Sequence, residues 1–134
     1  MLRIYLSGFP AFVGYFSLSL LLIGAFIAAY SAITPHHEFR LVRAGNGAAV
    51  FALLGALVGF ALPLRAAMAG SLNLVDFFIW ALIAAAAQVI AYFGARMAMP
   101  DVSARITSGD VAAGAWLGGV AVVVGMLNAA AMTL

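Results

Sequence analysis

The chain has 134 residues, of which 67% are hydrophobic and only 7% charged, and its formal net charge is +2. Soluble globular domains carry about 25% charged residues, so a water-soluble fold is excluded. The six basic residues, all arginine, are scattered and form no tract for a nucleic acid. The absence of cysteine removes disulfides and thiol chemistry.

Four apolar runs of roughly 20 to 26 residues fill the chain, each long enough to cross a hydrocarbon core about 30 Å thick. The first is predicted to be helical over residues 10–33. Pro10 suits a first helical turn, and Thr34-Pro35 stops the helix because a residue before proline is pushed out of the α region. Arg3 and the small residues from Ala28 to Ala32 give this run the look of a secretory signal. Its apolar core exceeds the roughly 7 to 15 residues of such a signal, so it reads as a retained span. A polar segment follows from His36 to Gly45, and Asn46 is the predicted N-cap of a second helix over 46–69. Ser71-Leu72-Asn73 forms a tight turn. Asn73 caps a third helix over 74–99, with Asp76 placed in the first turn where a carboxylate complements the helix dipole. Pro100 closes that helix, and Asp110 caps a fourth over 110–132.

The two long loops repeat one another. Pro35 is followed by four residues, Arg40, an aliphatic, a spacer, Gly45-Asn46, one residue and Ala48-Ala49. Pro100 is followed by four residues, Arg105, an aliphatic, a spacer, Gly109-Asp110, one residue and Ala112-Ala113. The match continues through Leu53/Leu117, Gly55/Gly119 and Val58/Val122. The fold expected is therefore all-α and membrane-embedded: four transmembrane helices from two tandem helix–loop–helix repeats, about 10–70 and 74–134, in one domain. Two spans per unit make the repeats parallel, related by an axis along the membrane normal. Arg40, Arg43, Arg96 and Arg105 fall on the face with the long loops, and Arg3 and Arg65 on the other. This bias predicts cytoplasmic loops and extracytoplasmic termini.

Between helices in lipid, small residues permit the close packing that holds a bundle together. Ala48, Ala52, Gly55 and Gly59 line one face of the second helix, and Gly118, Ala121, Gly125 and Ala129 one face of the fourth, with Gly119 also read as a packing position and the pairs Gly55/Gly59 and Gly114/Gly118 as a weak association signal. These two helices are therefore expected at the centre and the bulkier first helix toward lipid. Polar groups in the apolar runs are costly when they face lipid. Gln88 lies on the small face of the third helix and is read as an interhelical hydrogen-bonding group, worth about 0.6 kcal/mol. Asn128 fits that role and a place on a polar path equally. Pro63 is expected to kink the second helix, and Arg65 to snorkel or to pair with Asp76. His36, His37 and Glu38 lack a third metal ligand nearby and read as interfacial loop residues, so no metal or other cofactor is expected. Arg40, Arg43 and Arg105 are candidates for contact with anionic lipid or an acidic partner surface.

The chain resembles the domain-of-unknown-function 350 family of small bacterial inner-membrane proteins. The residues that carry this are Thr34-Pro35 with Glu38, Gly45-Asn46 with Ala48-Ala49, Gly59 with Leu62-Pro63, Asp76-Phe77, Pro100-Asp101, Gly109-Asp110 with Ala112-Ala113, and Gly125-Met126-Leu127-Asn128-Ala129. The resemblance covers nearly the whole chain and implies four spans from two repeats; it brings no activity with it. No nucleophile–base pair or phosphate-binding loop is present, and no enzymatic role is expected. The leading expectation is a self-associating scaffold or subunit of a membrane assembly, with the bilayer and further copies as partners and the loops as a possible protein contact. The alternative is an oligomeric pore or carrier lined by Asn128, Gln88 and the Pro63 kink.

Overall fold

Water cannot satisfy backbone groups inside a bilayer, so each apolar run must bond internally as a helix. The computed structural model describes residues 1–133; Leu134, the end of the second expected repeat, lies outside them. Six helices follow in order: α1 (Leu2–Ile33), α2 (Glu38–Arg43), α3 (Gly47–Gly70), α4 (Leu74–Ala98), α5 (Val102–Thr107) and α6 (Val111–Met132). The protein is all-α among the described residues, and α1, α3, α4 and α6 are long and apolar enough to cross a membrane.

Two expectations are corrected. The first helix starts at Leu2 and not at Pro10, which lies inside α1. Proline forfeits one donor, but the apolar residues before it gain more from helical bonding than from an open backbone in lipid. The long loops, expected as irregular segments, each hold a short helix, α2 and α5. Both short helices end in the same way. Gly45 (φ 83°) and Gly109 (φ 89°) adopt the left-handed conformation that glycine tolerates best. The next amide then reaches back five residues, from Asn46 to the Leu41 carbonyl at 2.9 Å and from Asp110 to that of Arg105 at 2.8 Å.

The caps stand where the sequence places them. Asn46, Asn73 and Asp110 accept from the amides of Ala49, Asp76 and Ala112. Asp76 also accepts from the Leu72 amide at 3.0 Å, so its carboxylate closes the turn into α4. Among the described residues it makes no ion pair with Arg65, which is exposed.

The most extensive helix pair is α3 with α6, and α3 also touches α1, α2, α4 and α5, which makes it the hub. Cβ positions built at Gly55, Gly59, Gly114 and Gly125 would run into the backbones of Gly118, Ala121, Ala48 and Gly59 respectively. The order of these contacts makes α3 and α6 parallel, with backbones in direct apposition. One position, Gly119, departs from the packing residues read in the sequence. Gly119 faces open space, whereas Gly114 lies in the crossing. α6 is rotated so that the 114/118/121/125 row, and not Gly119, meets α3. Pro63 is buried inside α3, which runs on unbroken to Gly70.

α1 rests on α3 and α4 through aromatic contacts, Phe26 on Phe60 (centroids 4.4 Å apart), Tyr30 on Tyr92 (5.8 Å) and Tyr15 on Phe77 (5.5 Å). Its residues up to Val13 are all exposed.

Candidate functional site

Gln88 lies where α4 meets the α3–α6 crossing. Its Nε2 donates to the carbonyls of Gly59 (2.9 Å) and Ala121 (3.1 Å) and ties three spans together. Trp116 Nε1 makes a similar link to the Ala95 carbonyl at 3.1 Å. Gln88 is thus an interhelical bonding group, and both it and Pro63 are buried. Asn128 is half-buried, and its Nδ2 is enclosed without a partner.

The polar chemistry concentrates instead at the loop end. α1 stops at Thr34, which holds the extended conformation imposed by Pro35 (φ −79°, ψ 130°). Its Oγ1 donates back to the Tyr30 carbonyl at 3.1 Å. The chain then turns through His37, whose left-handed backbone (φ 38°) is uncommon for a residue with a Cβ. This turn directs both His36 and Glu38 into the protein. The two side chains have no solvent exposure, and His36 Nε2 lies 3.0 Å from Glu38 Oε1. His36 Nδ1 lies 3.0 Å from Ser103 Oγ, so one imidazole joins the first loop to the second. Asn46 strengthens that link, donating from Nδ2 to the Ile106 carbonyl at 2.7 Å.

With Glu38 ionised, Nε2 must carry a proton to bond it. Ser103 can then donate to Nδ1, so both ring nitrogens have partners. Glu38 keeps its second oxygen, Oε2, buried without a partner, as do the hydroxyls of Ser31 and Tyr92. Tyr30 lies within electrostatic range of both Glu38 and Tyr92. Beside this cluster lies a cavity of about 400 Å³ lined by Ser31, His37, Glu38, Phe39, Arg40 and Arg43.

The reading of His36 and Glu38 as interfacial loop residues is therefore wrong. The sequence signal was available: the first loop's only acid stands two residues after a histidine, directly beyond a helix-ending Thr-Pro. The expectation for Arg105 also changes. Its Nε donates to Asp110 Oδ2 at 2.7 Å and its Nη1 reaches Met99 Sδ at 3.4 Å, so it braces the second loop. That hydrogen bond holds the Asp110 carboxyl below the usual carboxylate range. Arg40 and Arg43 have no carboxylate partner among the described residues and remain available.

The architecture and this loop-end polar core can be set beside known proteins. The family model described as Domain of Unknown Function (DUF350) matches residues 4–132. The chain belongs to the DUF350 family. It is 37% identical over 128 residues to the UPF0719 inner membrane protein YjfL of Escherichia coli strain K12, covering 96% of this chain and 97% of the relative. The YjfL protein of Escherichia coli O157:H7 is similar to the same extent. No solved structure matches the chain. Membership of this family and four apolar spans make it a multi-pass inner-membrane protein.

Proposed function

We propose that this DUF350 protein is a non-enzymatic, self-associating subunit of a membrane assembly, with its loops toward the cytoplasm and its termini outside. The observation that carries this reading is the α3–α6 crossing. There the two backbones meet at Gly55, Gly59, Gly114 and Gly125, which leaves no room for a polar lumen along the axis of one chain. The interior around it is mostly apolar, with alanines, Phe60, Phe77 and Leu117, and its buried Gln88 is spent on two backbone carbonyls, which suits structure more than solute passage. α1 adds an outward row in which Phe12 stacks on Phe9 (6.3 Å) and on Phe16 (5.5 Å), a broad apolar surface for a second copy. The duplicated loop–cap pattern supports an assembly in which each chain presents two similar units. Because the small-residue faces are occupied inside the chain, association would run through α1 and the outer faces of α4 and α6.

The test is the mass of the full chain extracted directly from membranes into lipid nanodiscs. Dimers or larger species that fall apart when Phe9, Phe12 and Phe16 are all replaced by alanine are expected. A strictly monomeric chain would overturn the proposal.

One observation favours a second reading, an oligomeric pore or carrier. The unpartnered Asn128 amide is expensive to hold in an apolar layer, and a path between copies would give it water. Liposome flux that disappears in Asn128→Leu would select this reading, and its absence would return Asn128 to packing.

A further inference from the structure

The two loops share one pattern but not one charge balance. Arg40 and Arg105 stand at equivalent places in it, and so do Asn46 and Asp110. In the second loop Arg105 donates to the Asp110 carboxylate at 2.7 Å. In the first, the equivalent cap is an amide, and Asn46 Nδ2 is spent on the Ile106 carbonyl. Arg40 is left without a carboxylate among the described residues, and so is Arg43. Arg43 has no basic counterpart in the second loop, where Ile106-Thr107-Ser108 precede Gly109. Both arginines are exposed, and their three-residue spacing on α2 puts them on one face. They line the loop-end cavity of about 400 Å³ together with His37, whose ring offers an N–H in either protonation state. The acid in that wall is Glu38, whose side chain has no exposed surface and bonds His36. The charged groups that the cavity presents at its surface are therefore basic.

In solution, water satisfies an exposed arginine. This pair stands elsewhere: Ser31, in the same lining, belongs to the last turn of α1, so the cavity lies where a span leaves the apolar layer. At that level the counter-ions at hand are lipid phosphates, and basic pockets beside spans hold anionic headgroups. Guanidinium forks fit phosphate oxygens two at a time. The half-exposed ring of Phe39 on the cavity edge adds an apolar contact beside the charged one. A ligand of net negative charge fits better than a zwitterion, because no exposed carboxylate in the lining would meet an ammonium. We propose that this cavity binds the headgroup of an anionic phospholipid of the phosphatidylglycerol class. Arg40 and Arg43 hold its phosphate oxygens, and Phe39 lies toward its acyl chains. Arg105, engaged by Asp110, gives the second loop no such pair, so each chain carries one site.

The test uses the full chain in nanodiscs of equal parts phosphatidylglycerol, phosphatidylethanolamine and phosphatidylcholine, with the retained lipid read by native mass spectrometry. The last two carry the same phosphate with a cation attached. Enrichment of phosphatidylglycerol of about tenfold over both is expected, since each basic residue near an anionic headgroup is worth a several-fold preference. Arg40→Ala/Arg43→Ala, at exposed positions, should return the retained lipid to the input ratio. Arg3→Ala/Arg65→Ala removes the same charge from exposed positions on the opposite face and should leave the enrichment in place. Millimolar free glycerol phosphate should not displace the lipid, because the bilayer holds a headgroup at high effective concentration. Displacement would give the site to a soluble phosphate and overturn its assignment to lipid. Equal retention of the three lipids, an enrichment unmoved by the Arg40/Arg43 variant, or one lost equally in both double variants would also overturn the proposal. Oligomer mass is read separately from the same spectra, so this result stands apart from that of self-association.

Discussion

The α3–α6 crossing and the loop end solve opposite problems with opposite chemistry. At the crossing the side chain of Gln88 is bonded to two backbone carbonyls, and contact is so close that glycine is required. At the loop end, a carboxylate and an imidazole are taken out of water, yet oxygens of Glu38, Ser31 and Tyr92 remain without partners. A region that serves only architecture tends to close its hydrogen bonds, and unsatisfied buried groups call for a separate explanation. The contrast sets a close-packed backbone crossing against a loop end whose buried hydrogen bonding is incomplete.

The largest way to break the comparison is to remove half of the buried couple. His36→Ala leaves the Glu38 carboxyl enclosed and without its partner, and should destabilise the fold by about 3–5 kcal/mol. It should also loosen the second loop, because His36 touches Ser103. Thermal unfolding in detergent and hydrogen exchange at residues 101–110 check both effects. Replacing both partners, as His36→Leu/Glu38→Met, should recover most of that stability, because an apolar pair can substitute for a buried ion pair. A double variant no more stable than His36→Ala would overturn this account of the couple.

The crossing is sharpened by a matched pair of glycines. Gly114→Leu forces a side chain into the Ala48 backbone and should cost about 1–3 kcal/mol or more, with loss of the folded monomer in the worst case. Gly119→Leu, whose Cβ meets nothing, should stay within about 0.5 kcal/mol of the parent. Equal effects at the two sites in an unfolding titration would refute the helix rotation described here. Gln88→Leu comes next. It removes the two hydrogen bonds to the Gly59 and Ala121 carbonyls, with an expected loss of about 0.6–2 kcal/mol in the same titration.

The smallest effect concerns pH. The carboxyl of Asp110 is held low by Arg105, so its contribution is complete above the ordinary carboxylate range and is lost as pH falls through the depressed value. Acidification should therefore fray the N-terminus of α6, seen as faster amide exchange at Ala112 and Ala113. Arg105→Gln should move that transition upward toward the ordinary range. A transition at the same pH in the variant would remove Arg105 as its cause.

Much of the fold was legible along the chain because its determinants are local. Apolar run length sets the spans. Asn46, Asn73 and Asp110 announce the helix starts, and Pro35 and Pro100 the stops. The small stripe on α3 and the bonding role of Gln88 follow from the cost of polar groups and bulky contacts in lipid. Other features depend on what a neighbouring element contributes. The exclusion of Gly119 from the crossing reflects the rotation of α6 against α3, which the loop repeat pairing Gly55 with Gly119 did not encode. The freedom of Arg40 and Arg43, against the engagement of Arg105, follows from where Asp110 falls after Gly109 turns the backbone. The burial of His36 and Glu38 depends on the left-handed turn at His37 and on Ser103, which lies in the other loop. The sequence by itself determined the spans, their caps and the polar residues available. Only the tertiary structure decided which of those residues close on one another and which are left open, because that depends on helix rotation and on contacts between segments far apart in the chain.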